Sequence, residues 1–345
     1  MDIIIREATD EDSASWDAFV SDHPDGTFCH RYGWKAVLEA GTGQKCPYLV
    51  ALSGGQVVGT LPLSIRDSFL FGKAAISSMF AVYGGPLSVS EKALSLLNEK
   101  AWKITRESGA NSLEYRTIQS SSFEGWVTET GVAASFQKEL KETAEDILLD
   151  IPRKQRAVVR KSLKHGLHCS WEKDLDTFYA LYAESVRNLG TPVFPKKLFR
   201  EFLEVFEKET DIQIVYSPEG EAIASLMTFY HNDHILPYYA GGNAKARLYG
   251  AHDFMYYELM VRSAKNGFKV YDFGRSKVGT GPYKFKKNWG FEPIPLNYQF
   301  RLKEGEERKE ISPQNKKFEL MVKVWKKLPL PVANILGPPI ARHLG

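Results

Sequence analysis

The order of expected elements predicts an α+β protein made of two similar domains in tandem, and three observations carry that expectation. At 345 residues the chain exceeds one typical domain, which holds roughly 100–150 residues. Its composition, 43% hydrophobic with 25% charged residues, suits a globular chain able to bury sizeable cores. One plan, two helices followed by a strand meander, a helix and a final strand, occurs twice with an offset of roughly 160 residues, far beyond a solenoid repeat. The expected domains are 1–143 and 144–304, with 305–345 as a charged linker and amphipathic tail. Residues near 5–140 are expected to superpose on 145–302.

The N-terminus, MDIIIREATDEDSASW, has acids where a signal peptide needs a basic flank and only a short apolar run, so it predicts a strand and then a helix. Helical patterns at about Asp10–Val20 and Arg31–Ala40 precede a strand at Tyr48–Leu52. A turn at Ser53-Gly54-Gly55 leads into a longer strand, Val57–Ile65, and the polar pair Arg66-Asp67 begins another run through Ile76. Tyr83-Gly84-Gly85 follows, then a helix over about Glu91–Ser108 and a strand at Ser112–Arg116.

The second copy repeats this order. Helices at about Leu175–Arg187 and Lys196–Lys208 precede the strand Ile212–Tyr216, the turn Ser217-Pro218-Glu219-Gly220 and the strand Ala222–His231. Asn232-Asp233 turns the chain into His234–Ala240; Gly241-Gly242 follows, then a helix over about His252–Lys265 and a strand at Lys269–Phe273. Between the copies, Arg153, Arg156, Arg160 and Lys164 recur at helical spacing and so share one face, while Val158 and Leu163 anchor others. A solvated basic face is the plain explanation; arginines at a domain junction also suit phosphate recognition.

The densest chemistry lies in KVYDFGRSKVGTGPYKFKKNWGFEPIPLNYQF, residues 269–300. Gly274, Gly279 and Gly281 surround Arg275, Ser276, Lys277 and Thr280, so backbone can approach a ligand closely while cations and hydroxyls reach an anion. Tyr283, Phe285, Lys286, Trp289 and Phe291 follow within a few residues, and surface loops are rarely that aromatic. Gly274 and Gly279 have P-loop spacing, but Thr280 stands where the phosphate-binding lysine must be, which argues against a nucleotide triphosphatase.

DFGRS followed by GTGxYxFKxxWG resembles the C-terminal signature of the Fem-type (FemAB-related) acyltransferases, closest to the exosortase/PEP-CTERM, exopolysaccharide-associated branch. The match is specific at about a dozen positions, and weaker similarity extends over most of the chain. The resemblance implies two tandem GNAT-like domains, an Arg-rich helix between them, and a lysine, here Lys286 of the Phe285-Lys286 pair, at the reacting end of the substrate channel. The family's better-studied members move amino acids from aminoacyl-tRNA onto cell-wall precursors. No extended heptad pattern occurs, so the long helical arm of some members is missing, which argues against a tRNA donor. The acyl donor, a co-substrate and not a permanently bound cofactor, stays open between acyl-CoA and aminoacyl-tRNA.

Other constellations are weaker. Arg247, Gly250 and Ala251 partly imitate the turn that holds coenzyme A pyrophosphate on helix-start amides, with His252 in the final small position. Tyr238 and Tyr239 end the last meander strand, where a GNAT-like sheet splays to admit an acyl group; burial explains them equally well. His231 and His234, or His165 and His168, have HxxH spacing without further ligands, so no metal is expected; the first pair should be cross-strand neighbours. No GxSxG elbow occurs. Cys29, Cys46 and Cys169 are odd in number and lack CxxC spacing, which fits buried thiols in a reducing compartment without structural zinc.

Beyond Leu302 a charged stretch runs to Lys309. Phe318, Met321, Val322 and Trp325 then follow helical spacing among lysines, and an apolar, proline-broken tail closes the chain. That pattern predicts either an interfacial membrane contact through 315–345 or docking on the protein itself. No stretch reaches the ~20 apolar residues of a spanning helix. A net charge of +3 is too small for DNA binding by bulk electrostatics.

The reading is N-acyl or aminoacyl transfer to an amine of a cell-envelope or exopolysaccharide precursor, nucleotide- or lipid-linked, at the inner face of the cytoplasmic membrane. Lys286 stabilises developing charge, Tyr283 moves the leaving-group proton and Asp272 supports them. Arg156, Arg160, Arg275, Ser276 and Lys277 grip an anionic substrate, with Tyr238, Tyr239, Phe285 and Trp289 lining it. Alternatives are an acetyl-CoA-dependent acetyltransferase acting on an amino sugar or small amine, and a non-catalytic saccharide-binding scaffold at the membrane.

Overall fold

A computed structural model describes residues 2–68, 71–119, 123–306 and 316–344. The chain forms two compact units: Met1–Val132 with Pro295–Ser312 and Ala341–Gly345, and Ala133–Ile294 with Pro313–Ile340. These bounds differ from a linear cut at residue 143 because the last strand of the chain pairs within the first unit.

In the first unit β1 (Ile3–Glu7) is followed by α1 (Ser13–Asp22), α2 (Gly33–Thr42), β2 (Leu49–Ser53) and β3 (Gln56–Leu61). Then come β4 (Leu63–Ser68), β5 (Gly72–Ser77), the short β6 (Leu87–Ser88), α3 (Glu91–Glu107), β7 (Ser112–Thr117) and the start of β8 (Val127–Glu139). Strands β1-β2-β3-β6 form one antiparallel sheet. The side chain of Ser90 caps α3 by accepting the Ala93 N–H, and Ala93, Leu97 and Ala101 bury themselves against Leu49, Ala51 and Leu61 of the sheet.

The single strand expected over Val57–Ile65 is two. Pro62 has no N–H to donate, and the chain leaves one sheet there and enters another, β4 pairing with β5. Arg66 and Asp67 lie inside β4, paired with Ala74 and Lys73, so a new run does not begin at these two residues. β5 runs parallel to β7. β7 in turn pairs antiparallel with Asn297–Leu302.

The second unit begins in β8 at Ala133 and continues with α4 (Ala144–Asp150), α5 (Arg153–Leu163), β9 (His168–Ser170), α6 (Leu175–Leu189), α7 (Lys196–Val205), β10 (Thr210–Tyr216) and β11 (Ala222–His231). It goes on through β12 (His234–Gly242), α8 (Ala244–Tyr249), α9 (Ala251–Lys265), β13 (Val270–Asp272), β14 (Ser276–Lys277), α10 (Gly281–Asn288) and the first residues of β15 (Pro293–Leu302). The meander β10-β11-β12 matches the expected strands nearly residue for residue, and His231 does lie opposite His234. The Asn232 turn between them has φ +52, a conformation asparagine tolerates.

β11 is buried along almost its whole length because helices cover both its faces. On one face the Ser225 hydroxyl donates to the Phe178 carbonyl of α6, and Phe229 meets Phe202 of α7. On the other, Ala224, Leu226 and Tyr230 share a core with Met255, Leu259 and Met260 of α9.

The tail forms α11 (Lys316–Trp325) and α12 (Leu330–Ala341), so the proline-broken stretch is helical with Pro338 and Pro339 in its last turns. One side of each helix packs on protein. A Cβ on Gly190 would meet Val322 at 2.6 Å, and one on Gly337 would meet the Val193 backbone at 2.9 Å. Among the described residues no helix is long and apolar enough to cross a membrane.

Candidate active site

β12 and β13 are parallel neighbours over only two residue pairs, His234 with Val270 and Ile235 with Tyr271. Beyond that, β12 continues to Gly242 while β13 stops at Asp272, so the two strands part. A bulge between Met227 and Thr228 bends β12 at the same level, since Met227 pairs with Tyr239 and Thr228 with Pro237, leaving Tyr238 as the extra residue. The splay expected near Tyr238 and Tyr239 is therefore present. Tyr239 itself packs among Tyr182, Phe199 and Phe202 and is core, which removes it from a substrate-lining role. Half-buried Tyr238 meets the Phe229 ring at a tilt, with centroids 5.2 Å apart.

The chain leaves β13 through a tight turn. Asp272 accepts the Gly274 N–H at 2.7 Å with one carboxylate oxygen and the Gln137 amide at 3.0 Å with the other, and Gly274 takes φ +64, where a side chain would be strained. That turn aims the carbonyls of Gly274 and Arg275 at one point. The Lys286 Nζ occupies it, donating to each at 3.0 Å.

Lys286 sits in α10, which begins at Gly281-Pro282, proline being suited to a first helical turn. Its ammonium lies 5.5 Å and 5.8 Å from the ring centres of Phe136 and Phe273, and the residue is only 9% exposed. Burial lowers its pKa to about 7; Asp272 pulls it back up and Arg275 reinforces the lowering. A lysine that changes protonation near neutrality is placed for proton or charge chemistry, and solvated lysines are not.

Tyr283 stands one turn before Lys286 and meets the same Phe136 ring edge-on at 5.2 Å, so the two residues expected to act together converge on one aromatic. Ser276 is buried, pairs through β14 with Ala134, and its hydroxyl has no hydrogen-bond partner among the described residues. Arg275 is exposed and Lys277 half-buried on the same loop. Trp289, by contrast, is 1% exposed against Phe273, Tyr256 and Phe285, so it anchors α10 in the core and presents no surface to a substrate. Phe285 belongs to that cluster as well.

The basic helix α5 is less concentrated than its spacing suggested. Arg156 donates from Nε to the Ile151 carbonyl at 3.0 Å, closing the turn from α4, while Arg160 is exposed. Val158 and Leu163 are exposed too; Val159 and Ser162 face inward instead.

Sequence reasoning missed Asp253. It sits in the first turn of α9, accepts a short hydrogen bond from Gln155 of α5, and is raised to about 6 by burial. The Trp289 indole and the Gln155 amide oppose that rise. Because the folded pKa lies above the ordinary value of 3.8, stability from the protonated form is complete below about 4 and lost as pH rises through 6. Asp253→Asn should keep the Gln155 contact and stabilise the protein by up to about 3 kcal/mol at pH 7, with no gain at pH 4, read by denaturant melts.

Asp253 also bears on coenzyme A. Arg247 lies exposed on α8, and the Asp253 and Phe254 N–H groups that open α9 already bond to the Gly250 carbonyl. A Cβ at Gly250 would sit 3.3 Å from the Ser162 Cβ of α5, and Ala251 is fully buried. A pyrophosphate needs open amides and no neighbouring acid. The Asp253 acid beside the α9 start and the burial of Ala251 weigh against a pyrophosphate at this turn.

Nucleophilic thiol chemistry is equally disfavoured, since burial pushes Cys46 and Cys169 up to about 12. His165 meets Tyr249 edge-on and His168 stacks on Tyr216. Among the described residues no three His, Cys, Asp or Glu side chains group as a metal site.

Residues 153–287, which include Lys286, match the family model described as an acetyltransferase (GNAT) domain. The chain carries the GNAT fold in tandem. The structure is similar to that of FemX, with TM-score 0.68 and 15% identity over 88% of this chain and 97% of that one. It is similar to L-PGS from Bacillus licheniformis, with TM-score 0.57 and 14% identity over 94% and 99%. A tandem GNAT protein from the clavulanic acid biosynthesis pathway gives 0.57 and 13% over 89% and 100%. No curated protein matches the chain. In the second GNAT unit the splayed strands and the buried lysine thus lie inside the matched segment.

Proposed function

We propose that the second GNAT unit is an N-acyltransferase site that joins an acyl or aminoacyl group to an amine of a cell-envelope or exopolysaccharide precursor. The observation that carries this is Lys286, a buried amine that donates to the Gly274 and Arg275 carbonyls and whose pKa burial lowers to about 7.

In the reaction the acceptor amine attacks the acyl carbonyl, a C–N bond forms, and the carbonyl oxygen gains negative charge. The Lys286 ammonium stabilises that oxygen, and pairing with it repays the desolvation that depresses the lysine in the resting protein. Collapse breaks the bond to the leaving group, and the proton lost by the attacking amine passes through Tyr283 to the departing atom. Asp272 is a positioning residue: it holds the Gly274 turn whose carbonyl orients Lys286. Arg275, Ser276 and Lys277 lie on the same loop and supply contacts for an anionic substrate. The poor fit of the α9 start to pyrophosphate favours a donor activated as an ester, such as an aminoacyl-tRNA, over acyl-CoA.

The test is to incubate the protein with aminoacylated tRNA and amino-sugar acceptors and to look by mass spectrometry for the acceptor plus one aminoacyl residue. If Lys286 works as an ammonium, turnover falls as pH rises through about 7. A rising limb at that pH would instead make it the base that deprotonates the acceptor. Transfer from acetyl-CoA but from no aminoacyl ester would overturn the donor assignment.

A further inference from the structure

α12 is turned the opposite way from an ordinary surface helix. Its packed side carries small residues, the buried Ala333 and Ala341 with Gly337 pressed on Val193, whereas its large aliphatics face outward, Ile335 being 72% and Leu336 47% exposed. Within Leu330–Ala341 there is no charged residue. α11 repeats the pattern: Val322 packs on Gly190, while Leu320, Met321 and Val324 are more than half exposed. Both helices dock on the same short connection, Gly190–Val193, so the protein exposes two aliphatic faces from one seat.

Exposed apolar surface of this extent calls for a covering phase. The flanking charge indicates which. Lys326, Lys327 and Arg342 are exposed beside the aliphatic faces, and residues 316–344 contain six Lys or Arg against one acid, Glu319, which pairs with Lys323. A second copy would bring the same lysines together across a two-fold axis, like charge on like. We propose that α11 and α12 are an interfacial seat for an anionic lipid surface, lying on it through Leu320, Met321, Val324, Ile335 and Leu336 with the lysines at the headgroups. Such a seat would hold the protein where a lipid-linked acceptor is delivered, but its existence does not depend on the transfer reading.

The experiment is co-sedimentation of the full chain with vesicles of phosphatidylcholine alone or with roughly a third phosphatidylglycerol. Substitution serves better than deletion, because Gln44 donates to the Arg342 carbonyl at 2.7 Å and the helices pack on Gly190 and Val193, so truncation would disturb the fold. The wild-type chain is expected to pellet with the anionic vesicles and much less with the neutral ones. Ile335→Asp with Leu336→Asp should abolish pelleting without lowering the thermal midpoint, and Lys326→Glu with Lys327→Glu should remove the preference for anionic lipid. The proposal is overturned if the wild-type chain pellets with neither vesicle, or if the aliphatic substitutions leave binding unchanged. It is equally overturned if light scattering shows a dimer that those substitutions dissolve, since a second copy would then cover the face. No substrate enters the assay, so its failure leaves the transfer reading untouched.

Discussion

Replacing Lys286 by Met is expected to lower turnover by about 100-fold or more, about 3 kcal/mol, as loss of one oxyanion donor does elsewhere. Met keeps the aliphatic stem between Phe136 and Phe273 and removes the charge together with its bonds to the Gly274 and Arg275 carbonyls. An interaction that strengthens as charge develops affects turnover more than binding, so the Michaelis constant should change little. The same substitution should alter stability in a pH-dependent way. The folded pKa, about 7, lies below the ordinary 10.5, so in between the unfolded chain binds a proton that the folded one does not. Stability therefore rises as pH goes from 7 towards 10.5. Between pH 7 and 9 the wild-type protein should gain about 2 kcal/mol relative to Lys286→Met. Denaturant melts of both proteins at the two pH values measure it. Near-normal turnover with a raised Michaelis constant would make Lys286 a binding residue and end the proposed mechanism.

Gly241→Ala is expected to cost about 3 kcal/mol or more and to unfold the second unit at temperatures the wild-type protein survives. A Cβ there would lie 2.5 Å from the Tyr182 Cα, 2.6 Å from its nitrogen and 2.7 Å from the Leu181 carbonyl oxygen. All three are backbone atoms of α6 and cannot rotate away. Gly281→Ala is the control, since a Cβ there has open space and sits in the first turn of α10 beside the lysine. It should leave the thermal midpoint unchanged or slightly raised. A Gly241→Ala protein as stable as wild type would mean that α6 does not approach β12 as closely as described.

Much of the candidate site was legible because its signals are local. Gly274 marks a turn that needs a positive φ, Gly281-Pro282 marks a helix start, and the aromatic density around Lys286 marks an apolar wall beside a cation. What that reading could not do was divide the aromatics between wall and core. Tyr283 and Trp289 are both aromatic and close in sequence, yet one meets Phe136 beside Lys286 and the other is sealed against Tyr256 and Phe273. Asp253 escaped notice because a lone acid in a helix's first turn is ordinary for dipole reasons; only the arrival of α5 and Gln155 buries it.

The sequence by itself determined the elements whose information is periodic or conformational. The meander of β10, β11 and β12, helices α6 and α9, and the turns at Asn232 and Gly220 follow from alternation, helical spacing and residues that tolerate a left-handed backbone. Pairing between distant segments was decided only by the tertiary structure. β15 joins β7 across more than half the length of the chain, and β12 and β13 pair over two residues and then part. Neither arrangement is written in any local pattern, because a strand's hydrogen bonds are satisfied by whichever edge the packed core brings to it. The same holds for the protonation of Lys286. Its identity is in the sequence, but a pKa near 7 arises from desolvation by Phe136 and Phe273, and desolvation exists only once the chain has closed around the amine.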